Sequence, residues 1–190
     1  MSDVSQAAQG QAARKSGWST RKLVTMALLT ALSLILSFIE FSIFPAAPFL
    51  KYDASAVVAA FASFGFGPAA GIIVGIISAA IHGLIMGDPW GSLMTIIVVI
   101  CWVLPAGLMY RFKPTRGMAL AGLIIGGVIS VAGAVAGNLL ITPIYTGTDV
   151  PTVMAMIVPI LLPFNALKAV INVILSFILY APVTKLINRE

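Results

Sequence analysis

Three polar residues interrupt the apolar run that closes the chain: Asn165, Lys168 and Asn172. On a helix turning 100° per residue they share a stripe about 60° wide. The amides can donate and accept hydrogen bonds, whereas the ammonium only donates. A lysine at depth in an apolar span costs on the order of 3 kcal/mol, so it requires a partner, a hydrated cavity or a route to the surface. Three readings stand: Lys168 contacts a solute, snorkels outward, or pairs with Glu40 or Asp53 to close the bundle. Asn138 sits near the end of the preceding apolar run, at a comparable depth. The loop at 41–52, with Phe41, Phe44, Phe49 and Tyr52, lies on the same side. Amides, a cation and aromatics from three segments thus converge, which describes a pocket roofed by a loop.

The chemistry this chain lacks narrows its role. There is no GxxxxGK[ST] phosphate loop, so ATP binding is not expected within it. HExxH and GxSxG are also absent, and no paired acids fall inside the apolar runs, so no enzyme and no metal site is expected. Intramembrane carboxylates mark ion-coupled carriers, and only Glu40 approaches such a position, at a helix end. Cys101 is the sole cysteine, which rules out an intrachain disulfide. The pattern is that of a protein that binds a solute without an engine of its own.

The elements that hold these residues are membrane helices. Of 190 residues, 60% are hydrophobic and 9% charged, with a mean hydropathy of +1.08. Soluble domains carry roughly a quarter charged residues, so the apolar side chains must face lipid as well as core. At about 20 residues per span there is room for roughly six helices. The fold expected is all-α, a polytopic six-helix transmembrane bundle with helices near 23–39, 54–66, 69–86, 91–110, 117–141 and 159–187. Pro105 interrupts the fourth, and Pro143 is expected to end the fifth. Residues 1–19 read as a disordered cytoplasmic tail, and 20–190 as one transmembrane substrate-binding domain. The basic flank and first apolar run could form a signal peptide, but the rest of the chain is equally hydrophobic, which favours a first span.

Charge sets the orientation. The net charge is +5, but the basic residues cluster at the ends of apolar segments, which argues against nucleic acid as a partner. Arg14, Lys15, Arg21 and Lys22, then Arg111, Lys113 and Arg116, then Lys185 and Arg189 all fall on one side of a six-helix bundle. The opposite loops hold Lys51 against Asp53, Asp88 and Asp149. The positive-inside rule then places both termini in the cytoplasm and the pocket in the outer leaflet.

Small residues recur every fourth position as Gly67, Gly71, Gly75, Ala79 and Gly83, and again as Gly122, Gly126, Ser130, Ala134 and Asn138. Such ridges let helix backbones approach closely in lipid, and internal packing is the reading that spacing supports. Ala27 and Ala31 form a shorter pair, which spacing alone also assigns to packing. His82 reads as a helix-end or loop partner, Trp90 and Trp102 as interfacial anchors, and Asp88 and Asp149 as solvated loop charges.

The run at 40–53, EFSIFPAAPFLKYD, resembles the first loop of riboflavin-binding S components of energy-coupling-factor (ECF) transporters. FGFGPAAG at 64–71, GNLLITPIY at 137–145 and LPFNALK at 162–168 are similar to the same family. The resemblance spans about 21–187. It implies a riboflavin site in the outer leaflet, capped by the first loop, with Glu40, Phe41, Phe44, Ala47, Phe49, Lys51, Tyr52, Asp53, Thr95, Asn138, Asn165 and Lys168 as candidate contacts. It further implies a prokaryotic cell-membrane protein that works with a transmembrane coupling subunit and two ABC ATPases, docking through Ala27 and Ala31. Riboflavin or flavin mononucleotide would be cargo, and no cofactor is expected. The chain departs from the family pattern at Ala54–Ala59, where a second acid and a proline are common, and at Thr95, where asparagine is usual. Two rival readings are an S component for another vitamin or precursor, and a stand-alone small-solute carrier.

Overall fold

Apolar runs punctuated by capping residues set the element order. A computed structural model describes residues 18–44, 47 and 50–187. Most of the expected tail (1–17), together with Pro45, Pro48, Phe49 and Arg189, lies outside those residues. Helix α1 (Thr20–Ser37) starts at Ser19, whose hydroxyl accepts from the Lys22 N–H at 3.3 Å. Strands β1 (Phe41–Ser42) and β2 (Lys51–Tyr52) then pair antiparallel, with Phe41 opposite Tyr52. Helices α2 (Ser55–Phe66), α3 (Pro68–Met86), α4 (Pro89–Phe112), α5 (Arg116–Thr146), α6 (Val150–Met156) and α7 (Leu162–Ile187) complete the chain. Gly67 joins α2 to α3 at φ 94°, a conformation that favours glycine, and Pro68 opens α3 where its missing N–H costs nothing.

The expected six-helix bundle forms, but its second helix does not span. α1, α3, α4, α5 and the continuous run Val150–Val183 are long and apolar enough to cross a membrane, whereas α2 has only 12 residues. At 1.5 Å per residue it covers about 18 Å of a hydrocarbon core about 30 Å thick. Every residue from Ser55 to Phe64 is buried, as expected of a helix apolar all round. It packs against α1, α3, α4 and α7. Ala56, Ala59, Ala60 and Ala62 let these neighbours close in. Exposed Leu84, Val128, Leu140 and Val158 give the perimeter an apolar surface.

The glycine ridges pack inside the bundle. A Cβ on Gly71 would lie 2.5 Å from the Ala59 carbonyl oxygen, and one on Gly126 would collide with the Trp102 carbonyl. Trp102 is buried and its indole N–H donates to Leu123 O at 3.1 Å. It is a core residue, correcting the expectation of an interfacial anchor. Its polar edge is satisfied inside the bundle and has no need of the interface.

Two prolines were misread as boundaries. α5 continues past Pro143 to Thr146, because the proline falls in the last turn and forfeits a single hydrogen bond, while Gly147 N–H closes the helix on Pro143 O at 3.1 Å. The last helical run starts at Val150 rather than near 159. Pro151 sits in its first turn, where no bond is lost. Further on, Pro163 would press on the Pro159 carbonyl in a regular helix. The chain widens instead into a π turn at Ile157–Leu161, and Leu162 N–H reaches back to Ile157 O.

Candidate binding site

The antiparallel order brings the end of α1, the hairpin, and the starts of α2, α4 and α7 to the same end as the ends of α3 and α5. Between them lies a cavity of about 160 Å³. Seven of the expected site residues line it: Glu40, Lys51, Asp53, Thr95, Asn138, Asn165 and Lys168. Asn138 and Lys168, from different helices, therefore line one partly open cavity. Phe41, Phe44, Ala47 and Tyr52 do not line it, and Phe49 lies outside the described residues.

Each polar wall residue has a defined partner. The Asn138 amide N–H donates to Ala134 O at 2.8 Å, and its oxygen accepts from Thr142 Oγ1 at 3.0 Å. The Asn165 amide N–H donates to Leu161 O at 2.7 Å, within the π turn. Both amides are held by their own helices, which fixes their rotamers and leaves each a second N–H proton. Lys168 Nζ lies 3.4 Å from Asp53 Oδ2, with side chains 14% and 13% exposed. Asp53 Oδ1 also accepts from Ser55 N–H at 2.9 Å. Burial pushes the Asp53 carboxyl up, but the Lys168 ammonium and hydrogen bonds from Ser55 and Lys168 outweigh it, and the group lies below its ordinary range. The buried cation thus has its counterion at the cavity wall.

The third member of the polar stripe faces elsewhere. Tyr52 donates from its hydroxyl to Asn172 Oδ1 at 3.1 Å, tying the hairpin to α7. Burial, then the nearby Asp53 charge, pushes the Tyr52 phenol up to about 12, so it remains a donor. Phe41 is exposed and tilts against Tyr52 with ring centroids 5.4 Å apart. Phe44 packs edge-on against Phe164 at 6.1 Å, in a satellite apolar cluster with buried Ala47 and Leu50. These side chains hold the loop in place over the site. A void of about 10 Å³ beneath the main cavity is lined by Asn165, Lys168 and Asn172 together with Ser130 and Trp102.

Sequence reasoning missed much of the wall. At the rim, Glu40 pairs with Lys51 and lies 3.8 Å from His82 Nε2, while His82 Nδ1 is 2.8 Å from Ser37 Oγ. Trp90 lines the cavity and stacks on Tyr145, centroids 6.2 Å apart and 19° from parallel. Asp88, expected to be a solvated loop charge, caps α4 by accepting from Gly91 N–H at 2.9 Å and also faces the cavity. Trp90, Met94 and Val98 follow a four-residue spacing beside Thr95, a signal that would have found that face of α4. The arrangement suits a planar, polar-edged organic molecule of low charge: hydrogen-bonding groups on α5 and α7, an apolar and aromatic face on α4, and a charged rim at the mouth.

Comparisons with known proteins bear on the family and the fold. A family model described as "ECF transporter, substrate-specific component" matches residues 21–180. The riboflavin transporter RibU of Staphylococcus aureus (strain TCH60) is 29% identical over 176 residues, covering 89% of this chain and 93% of the relative. The riboflavin transporter FmnP of Bacillus subtilis (strain 168) is 29% identical over 171 residues, covering 83% and 90%. A solved structure of the S component of a bacterial ECF transporter superposes with a TM-score of 0.77 at 29% identity, covering 89% of this chain and 98% of the other. The chain is thus a membrane-transporter component rather than an enzyme, and it belongs to the family of substrate-specific components of ECF transporters.

Proposed function

We propose that this chain is the riboflavin-binding S component of an ECF importer, taking the vitamin from outside the cell. The observation that carries the reading is the shared cavity of Asn138, Asn165 and Lys168 beneath the first loop. The riboflavin-transporter relatives support the choice of cargo. The pyrimidine edge of the flavin ring alternates acceptors with one N–H donor. The Asn138 and Asn165 amides offer the complementary groups, and Lys168 donates to a ring carbonyl or ribityl hydroxyl. The ring faces rest against Met94, Val98 and Phe164, while the ribityl chain meets Glu40, Lys51 and His82 at the rim. Phe41, Phe44, Ala47, Phe49 and Tyr52 serve as the lid, with Thr95 beside the ring. A cavity of about 160 Å³ is tighter than the several hundred Å³ of typical small-molecule sites. Loading therefore requires the walls to widen, and the hairpin, held by two residue pairs and the Glu40–Lys51 contact, is the segment that gives way.

The protein sits in a prokaryotic cell membrane with both termini in the cytoplasm, as the basic loops favour. A transmembrane coupling subunit and two ABC ATPases supply the energy. Ala27 and Ala31 are exposed on α1, a small-residue ridge on which the coupling subunit docks. Titration of purified protein with riboflavin, followed by quenching of flavin fluorescence, tests the cargo. Saturable quenching at one flavin per chain is expected. Its absence, with quenching by another vitamin, would reassign the site.

A further inference from the structure

The third residue of the polar stripe has a task that the cavity wall does not explain. Asn172 is 4% exposed and lines no part of the main cavity. A buried amide without a partner is costly, and Asn172 Oδ1 accepts from the Tyr52 hydroxyl at 3.1 Å. A second contact lies beside the first. Asp53 follows Tyr52, and its Oδ2 lies 3.4 Å from Nζ of Lys168, one turn before Asn172 on the same face of α7. Lys168 Nζ also lies 5.9 Å from the centroid of the Tyr52 ring. Two consecutive residues at the root of the hairpin thus grip two successive turns of α7. The root is braced from behind as well: Asp53 Oδ1 accepts from Ser55 N–H at 2.9 Å, and Ser55 O accepts from Ser33 Oγ of α1 at 3.1 Å.

The two contacts differ in what they face. Lys168 and Asp53 line the cavity, where a bound molecule can draw the ammonium away from the carboxylate. Tyr52 and Asn172 do not line it, so their neutral bond lies beyond the reach of the cargo. Both residues are 4% exposed, and breaking the bond leaves a buried hydroxyl and a buried carbonyl unpaired. The bond therefore favours a hairpin root seated on α7 whether or not the cavity is filled. Resting on the reading of the cavity as the vitamin site, we propose that Asn172 is a positioning residue: it holds Tyr52, keeps Asp53 beside Lys168, and slows release of the bound vitamin.

Protein preloaded with tritiated riboflavin is chased with excess unlabelled riboflavin, and release rates are compared in the wild type, Tyr52→Phe, Asn172→Leu and the double variant. Each single variant is expected to release the vitamin about tenfold faster, with the association rate changed far less. The double variant is no faster than the singles, because all three lack the same bond. Unchanged binding stoichiometry shows that the variants are folded. Wild-type release in the single variants overturns the proposal, since a residue that only packs the bundle lowers the thermal midpoint without touching release. Effects that multiply in the double variant overturn it as well. Amide hydrogen exchange at residues 50–53 of the empty protein gives a readout that needs no vitamin. Exchange is expected to quicken to the same extent in both single variants, and exchange at the wild-type rate overturns the proposal. A wild type that binds no riboflavin overturns the cargo reading instead, and the exchange comparison then decides the role of Asn172 by itself.

Discussion

The two ends of this bundle are built on opposite principles. At the basic end, Phe64, Tyr110 and Tyr180 pack together with centroids 4.8–6.2 Å apart. Deeper in the same core, Gly126 brings α5 onto the backbone of α4 and Leu123 is fully buried. At the acidic end the helices part around a cavity whose walls carry two amides, an ion pair and a charged rim. One end is given to close packing, the other to hydrogen-bonding groups arranged around a cavity. The lesson is a division of labour: close packing joins the helices at one end, and polar groups surround a cavity at the other.

Breaking the packed region gives the largest effect. Gly126→Val forces a branched side chain into the Trp102 backbone, and a loss of about 3 kcal/mol is expected, seen as a sharp drop in thermal midpoint in detergent. Lys168→Ala acts at the other end. Removal of a charged hydrogen-bond donor weakens flavin affinity by about 100-fold, measured by fluorescence quenching, while the protein still folds. Asn138→Ala should cost about tenfold in the same titration, since one amide facing the cavity is lost. Wild-type affinity in both variants would remove them from the site.

The smallest effect concerns pH. With its folded value held below the ordinary 3.8, Asp53 contributes stability that is fully present above the unfolded value and lost only as pH falls through the lower folded one. Wild-type stability from this group is therefore flat between about pH 5 and 8. In Lys168→Ala the counterion is gone and burial dominates, so the carboxyl lies above its ordinary range. Stability then declines as pH rises from about 4 towards 7, a slope readable from thermal midpoints across that range.

Much of this architecture was legible because lipid punishes polarity. Lys168, Asn165 and Asn138 stood out as polar residues in apolar spans, Thr95 entered only through the family resemblance, and all four line one cavity. Asn172 carried the same signal but serves Tyr52, a pairing 120 residues apart that helical periodicity does not encode. Trp90 and Met94 were hidden because aromatic and apolar residues in a membrane helix can face lipid, core or ligand equally well. The rotation of α4 decides among these, and its packing against α2, α3 and α5 sets it. Helix ends were misread at Pro143 and Pro159: the sequence marks a missing hydrogen bond but not that Pro143 falls harmlessly in a last turn or that the chain around Pro159 widens into a π turn. The brevity of α2 was visible from Gly67-Pro68 onward, whereas its burial from Ser55 to Phe64 depended on neighbours closing around it.

The most direct measurement is a structure of the protein bound to riboflavin. The pyrimidine edge of the ring is predicted to lie within hydrogen-bond distance of Asn138 or Asn165 and of Lys168, with the hairpin closed above it. A flavin bound outside that cavity, or a cavity still filled by solvent at saturating riboflavin, would contradict the account.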